Sequence, residues 1–327
     1  MEGIINQSDN IIFDWWNVRE MESIIPQNLK SGDTIGLISP SSIIQNEDDL
    51  KVLTKSIKTM ENFGFKVKKG KYTFSNETGY GATAKHKAED INEMFANNEI
   101  KAIFTTTGGE NSLSTFEYLD YELIKNNPKI ICGFSDATSI LNEINEKTGL
   151  ITFMGPSMKS ICSGDTDYRL KSVIDHFVKG KTNLFYDEDI DEIKIIREGE
   201  AKGKFVGGNL TLTTDLISGK YKIEFQNKIL LMEDLAFEAI PEKISHDLYK
   251  MKQEGIFEEI SGIWIGNYEG EVPIEKILLD TIDDIEFNKP IIKSENFGHA
   301  EKKMVIPIGK EAIIDTKNKT FPIELQK

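Results

Sequence analysis

The sequence predicts an α/β protein: a mostly parallel sheet with helices on both sides, then a second α/β domain, with the functional site in the cleft between the halves. Three observations carry this reading. Strand-like apolar runs alternate with amphipathic helical stretches from residue 34 onward, the pattern of successive β–α units. Several runs are almost continuously apolar, as in strands covered on both faces. After a weaker stretch the alternation resumes, which is most simply a second α/β domain. Ligand sites in such folds favour strand C-terminal ends and domain interfaces.

The elements follow in order. "TIGLIS" (34–39) reads as the first buried strand, and "DDLKVLTKSIKTMENFGF" as a helix with Leu50, Leu53, Ile57 and Met60 on one stripe and Gly64 at its end. "KVKKG" is a short polar strand. "ATAKHKAEDINEMFANN" is helical, with Ala84, Ala88, Ile91 and Phe95 in register. The strand "IKAIFTT" runs into two glycines and a helix after Ser112; "KIICGF", "ATSILNEINEKTG" and "LITFMG" repeat the theme. A helix in "SGDTDYRLKSVIDHFVKGK" and the acidic "YDEDIDE" occupy the weaker stretch. The second set comprises "KGKFVGGNLTLTTDLIS", strand "KILLME", helix "PEKISHDLYKMKQEG", strand "GIWIGN", helix "IEKILLDTI" and strand "KPIIKS". The expected division is an N-terminal extension over 1–22, a first domain over 23–160, a linker region over 161–200 and a second domain over 201–327. The extension carries Trp15 and Trp16 and fits neither domain.

Composition narrows the function. The 327 residues are 39% hydrophobic, enough for a sizeable core. No apolar run approaches the roughly 20 residues that span a bilayer, and the N-terminal stretch lacks the basic and apolar regions of a secretory signal. Cytoplasm is the expectation, with no membrane partner. A formal charge of −15 argues against a nucleic-acid partner. The two cysteines, Cys132 and Cys162, do not suggest a disulfide, since Cys132 lies inside an apolar run. No metal-ligand spacing occurs, so neither metal nor organic cofactor is expected.

Candidate chemistry gathers at strand ends. In "TTTGGENS" two glycines permit a sharp turn, and Ser112 falls near a helix N-terminus, where N–H groups and the helix dipole favour negative charge. Such a hydroxyl can be a nucleophile with neighbouring N–H groups as oxyanion donors, or simply an N-cap. A phosphate cradle is disfavoured, because neither G-x-x-x-x-G-K-[ST] nor G-x-G-x-x-G is present there. A rival lies in "GFSDA", where Ser135 nearly spells the nucleophile elbow G-x-S-x-[GA] and by motif alone fits better than Ser112. Asp136 or Ser135 capping the next helix is its bland reading. Of the four histidines, His86, His176 and His246 fall on predicted helices, whereas His299 follows a strand and Gly298 in a loop. Glu233 and Asp234 end the strand in "KILLMED" and supply a carboxylate to orient a base. The order is serine, acid, histidine.

These residues sit within ordered blocks, "GDTIGLISPSS", "IKAIFTTTGGENS", "NNPKIICGFSDATSIL", "KGKFVGGNLTLTT", "ILLMEDL", "SGIWIGNYEG" and "GHAEKKMVIPIG". The assembly resembles the LD-carboxypeptidase family of serine peptidases, and within it the branch of microcin C self-immunity proteins. The resemblance covers nearly all the chain beyond the extension. It implies a Rossmann-like N-terminal domain, a distinct C-terminal α/β domain and a homodimer. It assigns the nucleophile to Ser112 rather than Ser135, the acid to Glu233 and the base to His299, with Gly109 and Leu113 as candidates for the oxyanion hole. The implied substrate is a murein-type L,D-peptide or a peptidyl or aminoacyl nucleotide, cleaved at an amide. Two departures bear on the choice: Thr107 stands where such carboxypeptidases carry arginine, and the region 155–187 has no tryptophan for stacking a nucleobase, leaving Tyr168, Phe177 or Phe185 as substitutes. A lysine, a backbone site or Arg169 is expected to receive the substrate carboxylate. The alternative class is a non-catalytic protein that grips a carboxylate or phosphate through the N–H groups of the glycine turn.

Overall fold

Two six-stranded sheets organise the chain in the computed structural model, which describes residues 22–190, 192–235, 240–268, 274–319 and 321. The first contains β1 (Thr34–Ile38), β2 (Lys66–Lys69), β3 (Ile100–Thr105), β4 (Ile130–Gly133) and β5 (Thr152–Met154), all parallel in the order β5-β4-β3-β1-β2. Helices α1 (Glu47–Asn62), α2 (Ala84–Ala96), α3 (Tyr121–Asn126) and α4 (Ala137–Thr148) intervene. Local chemistry fixes their ends. The Asn46 side chain accepts from the Asp49 N–H and Thr83 from the His86 N–H, and Gly149 closes α4 in the left-handed region at φ 76°. Leu37, Phe104 and Cys132 pack into one core and Ile38, Ile103 and Ile131 into another, as continuous apolar runs require. Burial pushes the Cys132 thiol well above its ordinary pKa, so it stays protonated.

The stretch 161–200 is not a linker. It contains α5 (Thr166–Phe177), α6 (Asp187–Ile190) and β6 (Lys194–Arg197). Phe177 packs edge-on to Phe104 and Phe153 in the core of the first sheet, and β6 is an edge strand of the second. Apolar packing places Phe177, and backbone pairing with β10 places β6. The two tryptophans of the expected extension, Trp15 and Trp16, lie outside the described residues.

The second sheet runs through β7 (Glu200–Asn209), β8 (Ile229–Asp234), β9 (Gly262–Tyr268) and β10 (Ile291–Gly298), all parallel, with α7 (Leu210–Thr214), α8 (Pro241–Gln253), α9 (Ile256–Glu259) and α10 (Ile274–Ile285) between them. After β10 the chain leaves this sheet. Strand β11 (Ile306–Ile308) pairs antiparallel with β5 of the first sheet, and β12 (Glu311–Asp315) then returns to pair with β7. The expected boundary at 201 therefore does not divide two independent halves. The loop from β10 to β11 crosses between the sheets, and His299 is its first residue.

Candidate active site

Strand β8 is buried along its whole length, and successive residues at its end point to opposite sides. Glu233 turns toward the crossover loop; Asp234 turns the other way, accepting from Asn209 Nδ2 at 2.8 Å and Thr211 Oγ1 at 2.9 Å. Glu233 Oε2 lies 2.7 Å from His299 Nδ1 and also accepts the His299 N–H at 3.0 Å. A carboxylate can only accept, so Nδ1 carries a proton, and in the neutral imidazole the lone pair is on Nε2. The Glu233 side chain is fully buried, and that of His299 is 13% exposed. Gly298 makes the approach possible: its φ is +83°, and an added Cβ would meet Glu233 Cγ at 2.5 Å. Asn267 Nδ2 donates to the His299 carbonyl at 2.7 Å and fixes the loop from the β9 side.

The ring of His299 lies edge-on to Phe134, 5.2 Å between centroids. Phe134 and Ser135 form the turn from β4 into α4. Ser135 adopts φ +60°, a left-handed conformation that costs an L residue about 1 kcal/mol or more and collects at functional sites. Gly108 runs directly against it: a Cβ there would stand 2.7 Å from Ser135 Cβ. On the strand side, Gly133 is equally confined, its hypothetical Cβ falling 2.6 Å from Thr105 Oγ1. Ser135, His299, Thr107, Gly108 and Gly109 line one cleft of about 490 Å³, together with Ser42, Asp49 and Lys159.

Ser112 is not brought into this cleft. It is fully buried, its Oγ donating to the Asp136 carbonyl at 2.7 Å and its N–H to Asp136 Oδ2 at 2.8 Å. The left-handed residue of its own turn is Asn111, at φ 71°, which rotates the serine inward. The expected nucleophile, Ser112, thus stands apart from His299 in the fold. Its hydroxyl braces the residue next to Ser135, and it is Ser135 that shares a cavity with the histidine. Of the expected oxyanion donors, Gly109 borders the cleft, at φ +131°, while Leu113 is 40% exposed and outside it. The signal for Ser135 was present in the sequence as G-F-S-D-A.

The other expectations sort as cleanly. His86 stacks on Tyr72 and pairs with Glu77, His176 Nδ1 meets the Ser172 carbonyl on α5, and His246 is exposed on α8. Tyr168, Phe177 and Phe185 are all core residues, the first bonded to Asp189 and the last packed on Trp264, so none is a stacking platform. Arg169 is 5% exposed and spent on the main chain. It donates to the carbonyls of Glu301 at 2.9 Å, Ser160 at 2.6 Å and Ala300 at 2.6 Å, tying the crossover loop to the first domain. It cannot receive a substrate carboxylate. Asp136 itself is pushed upward in pKa by burial, against the bond from the Ser112 N–H.

Comparison with known proteins agrees with this architecture. The model of the LD-carboxypeptidase N-terminal domain matches residues 35–155, and that of the LD-carboxypeptidase C-terminal domain matches 202–314. A probable murein peptide carboxypeptidase of Bacillus subtilis is 31% identical over 308 residues, covering 91% of this chain and 94% of its own. The microcin C7 self-immunity protein of Escherichia coli is 29% identical over 331 residues, covering 91% and 95%. A solved structure of a microcin C7 self-immunity protein in complex with aspartyl sulfamoyl adenosine superimposes with a TM-score of 0.81 at 26% identity, over 93% of this chain and 99% of that one.

Proposed function

This chain belongs to the LD-carboxypeptidase family, and from that premise we propose that it is a serine hydrolase in which Ser135, His299 and Glu233 cleave an amide bond of an L,D-type peptide bearing a free carboxylate. The observation that carries the reading is the shared cleft: a strained serine on a strand–turn–helix elbow and a histidine whose Nδ1 is held 2.7 Å from a buried glutamate.

In the proposed reaction Ser135 Oγ attacks the amide carbonyl while His299 Nε2 takes its proton. Glu233 keeps the imidazole in the required tautomer and stabilises the imidazolium that forms. The N–H groups of Gly109 and of Asp136, the residue after the nucleophile, are the proposed oxyanion donors. His299 then protonates the leaving amine, and water repeats the sequence on the acyl-enzyme. A peptide is favoured over a nucleotide because Phe134 is the one aromatic side chain lining the cleft among the described residues, and it is already packed against His299. We also take the resemblance to imply a cytoplasmic homodimer, for which light scattering should give twice the 37.0 kDa chain mass.

The test is direct. A fluorophosphonate should label Ser135, identified by peptide mass, and Ser135→Ala should lower turnover of an L,D-linked murein tetrapeptide by about 10⁴-fold or more while remaining folded. An aminoacyl-nucleotide amide assayed alongside should be the poorer substrate. Label on Ser112 with full activity in Ser135→Ala would overturn the assignment.

A further inference from the structure

We infer that Lys159 is the anchor for the free carboxylate of the substrate, an inference that rests on the hydrolase reading above. Once Arg169 is excluded, Lys159 is the one lysine or arginine among the described residues that line the cleft. A chain of formal charge −15 repels an anionic substrate at long range, but salt screens that field within about 8 Å. A cation at contact distance then decides whether a carboxylate is held.

The main chain fixes Lys159 on the wall of the cleft that Ser135 and His299 line. Its N–H donates to the Thr106 carbonyl at 3.0 Å, and the Met158 N–H to the Thr105 carbonyl at 2.8 Å. The loop that carries it is thus bonded to the end of β3, the segment that continues into Thr107 and Gly108, and Gly108 abuts Ser135. From the other side, Ser56 Oγ donates to the Lys159 carbonyl at 3.1 Å and accepts the Cys162 N–H at 3.1 Å, which clamps the loop to α1. The backbone is fixed, and only the side chain has freedom.

The ammonium group is held but not sealed. It pairs with Asp49 at 3.1 Å, with 23% of the lysine side chain and 39% of the aspartate side chain exposed. Partly exposed pairs of this kind are weak and exchangeable. Asp49 has a second partner in Asn46 Nδ2 at 2.8 Å, so it is not left bare when the lysine turns away. An incoming carboxylate substitutes for Asp49 on Lys159, an exchange of one anion for another at a site that is already charged. Asp49 thereby competes with substrate and sets the affinity.

The experiment uses two fluorophosphonates identical except that one ends in a free carboxylate and the other in the carboxamide. The rate of Ser135 modification at low probe concentration is compared in the full-length wild type, Lys159→Met, Lys159→Arg and Asp49→Asn. Wild type should prefer the acid. Lys159→Met should slow labelling by the acid about 10- to 100-fold, the loss expected for one charge-assisted hydrogen bond, and leave the amide within about 2-fold. Lys159→Arg should keep most of the preference, and Asp49→Asn should increase it. An acid-to-amide ratio unchanged in Lys159→Met overturns the inference while leaving the hydrolase reading intact. Absence of Ser135 labelling by either probe in wild type removes the reading and the inference together.

Discussion

Ser112 and Asp136 are joined twice: the serine hydroxyl donates to the aspartate carbonyl at 2.7 Å, and the serine N–H to Oδ2 at 2.8 Å. The turn after β3 therefore supports the turn after β4 from beneath, and the two serine-bearing turns have different tasks. Ser112→Ala removes the hydroxyl bond and keeps the N–H bond. It should lower stability by about 1–2 kcal/mol and turnover by less than about 10-fold, far from the loss expected at Ser135. Chemical denaturation and steady-state kinetics of the two alanine variants side by side check this; equal loss of turnover in both would refute the division of labour.

Gly298 is confined by the Glu233 carboxylate. A methyl group at this position would stand 2.5 Å from both Glu233 Cγ and Oε2, on a backbone at φ +83°. Gly298→Ala should displace the glutamate from His299 and lower kcat by about 100-fold, the typical effect of an ångström-scale misplacement, with KM little changed. A variant with wild-type kcat would show that the contact is not needed.

Arg169 should behave as a structural tie. Its bonds to the Glu301, Ala300 and Ser160 carbonyls join the crossover loop to the first domain. Arg169→Leu removes all three bonds and leaves the Ala300 carbonyl without its donor, while the Glu301 and Ser160 carbonyls keep the N–H bonds from Asp165 and Ser163; it should cost about 3 kcal/mol. The residual enzyme should keep the acid-over-amide preference of wild type. If that preference disappears while Tm holds, the residue binds substrate after all.

Asp90 supplies a pH dependence outside the site. Burial pushes its carboxyl from 3.8 up to about 6, against the N–H bonds from Tyr72 and Lys71. The raised value means that the native state favours the protonated acid. Its contribution is full below the unfolded value of 3.8 and is lost as pH rises through about 6. Asp90→Asn should therefore raise stability at neutral pH by up to about 3 kcal/mol and flatten the dependence across that window. Urea unfolding at a series of pH values measures it; parallel curves for wild type and variant would contradict the assignment.

The sequence by itself determined the alternation of strands and helices, the second α/β unit and the positions of Glu233 and His299 at strand ends. These are consequences of local periodicity and of where glycine permits a turn, and both are written along the chain. It also carried both serines, each after an apolar strand and a glycine, and only the near-match of G-F-S-D-A to a nucleophile elbow favoured Ser135 locally. Which serine shares a cleft with His299 depends on residues far away: the chain leaves β10 to pair β11 with β5. That pairing lays the crossover loop beside the β4 turn, where Phe134 meets the histidine ring. Packing of Phe177 on Phe104 and Phe153 put part of the expected linker into the core, and the crossover loop engages Arg169 as a tie between main-chain carbonyls. Long-range pairing and burial decided these roles, because a side chain's function depends on which neighbours compete for it, and those neighbours are set by the tertiary fold.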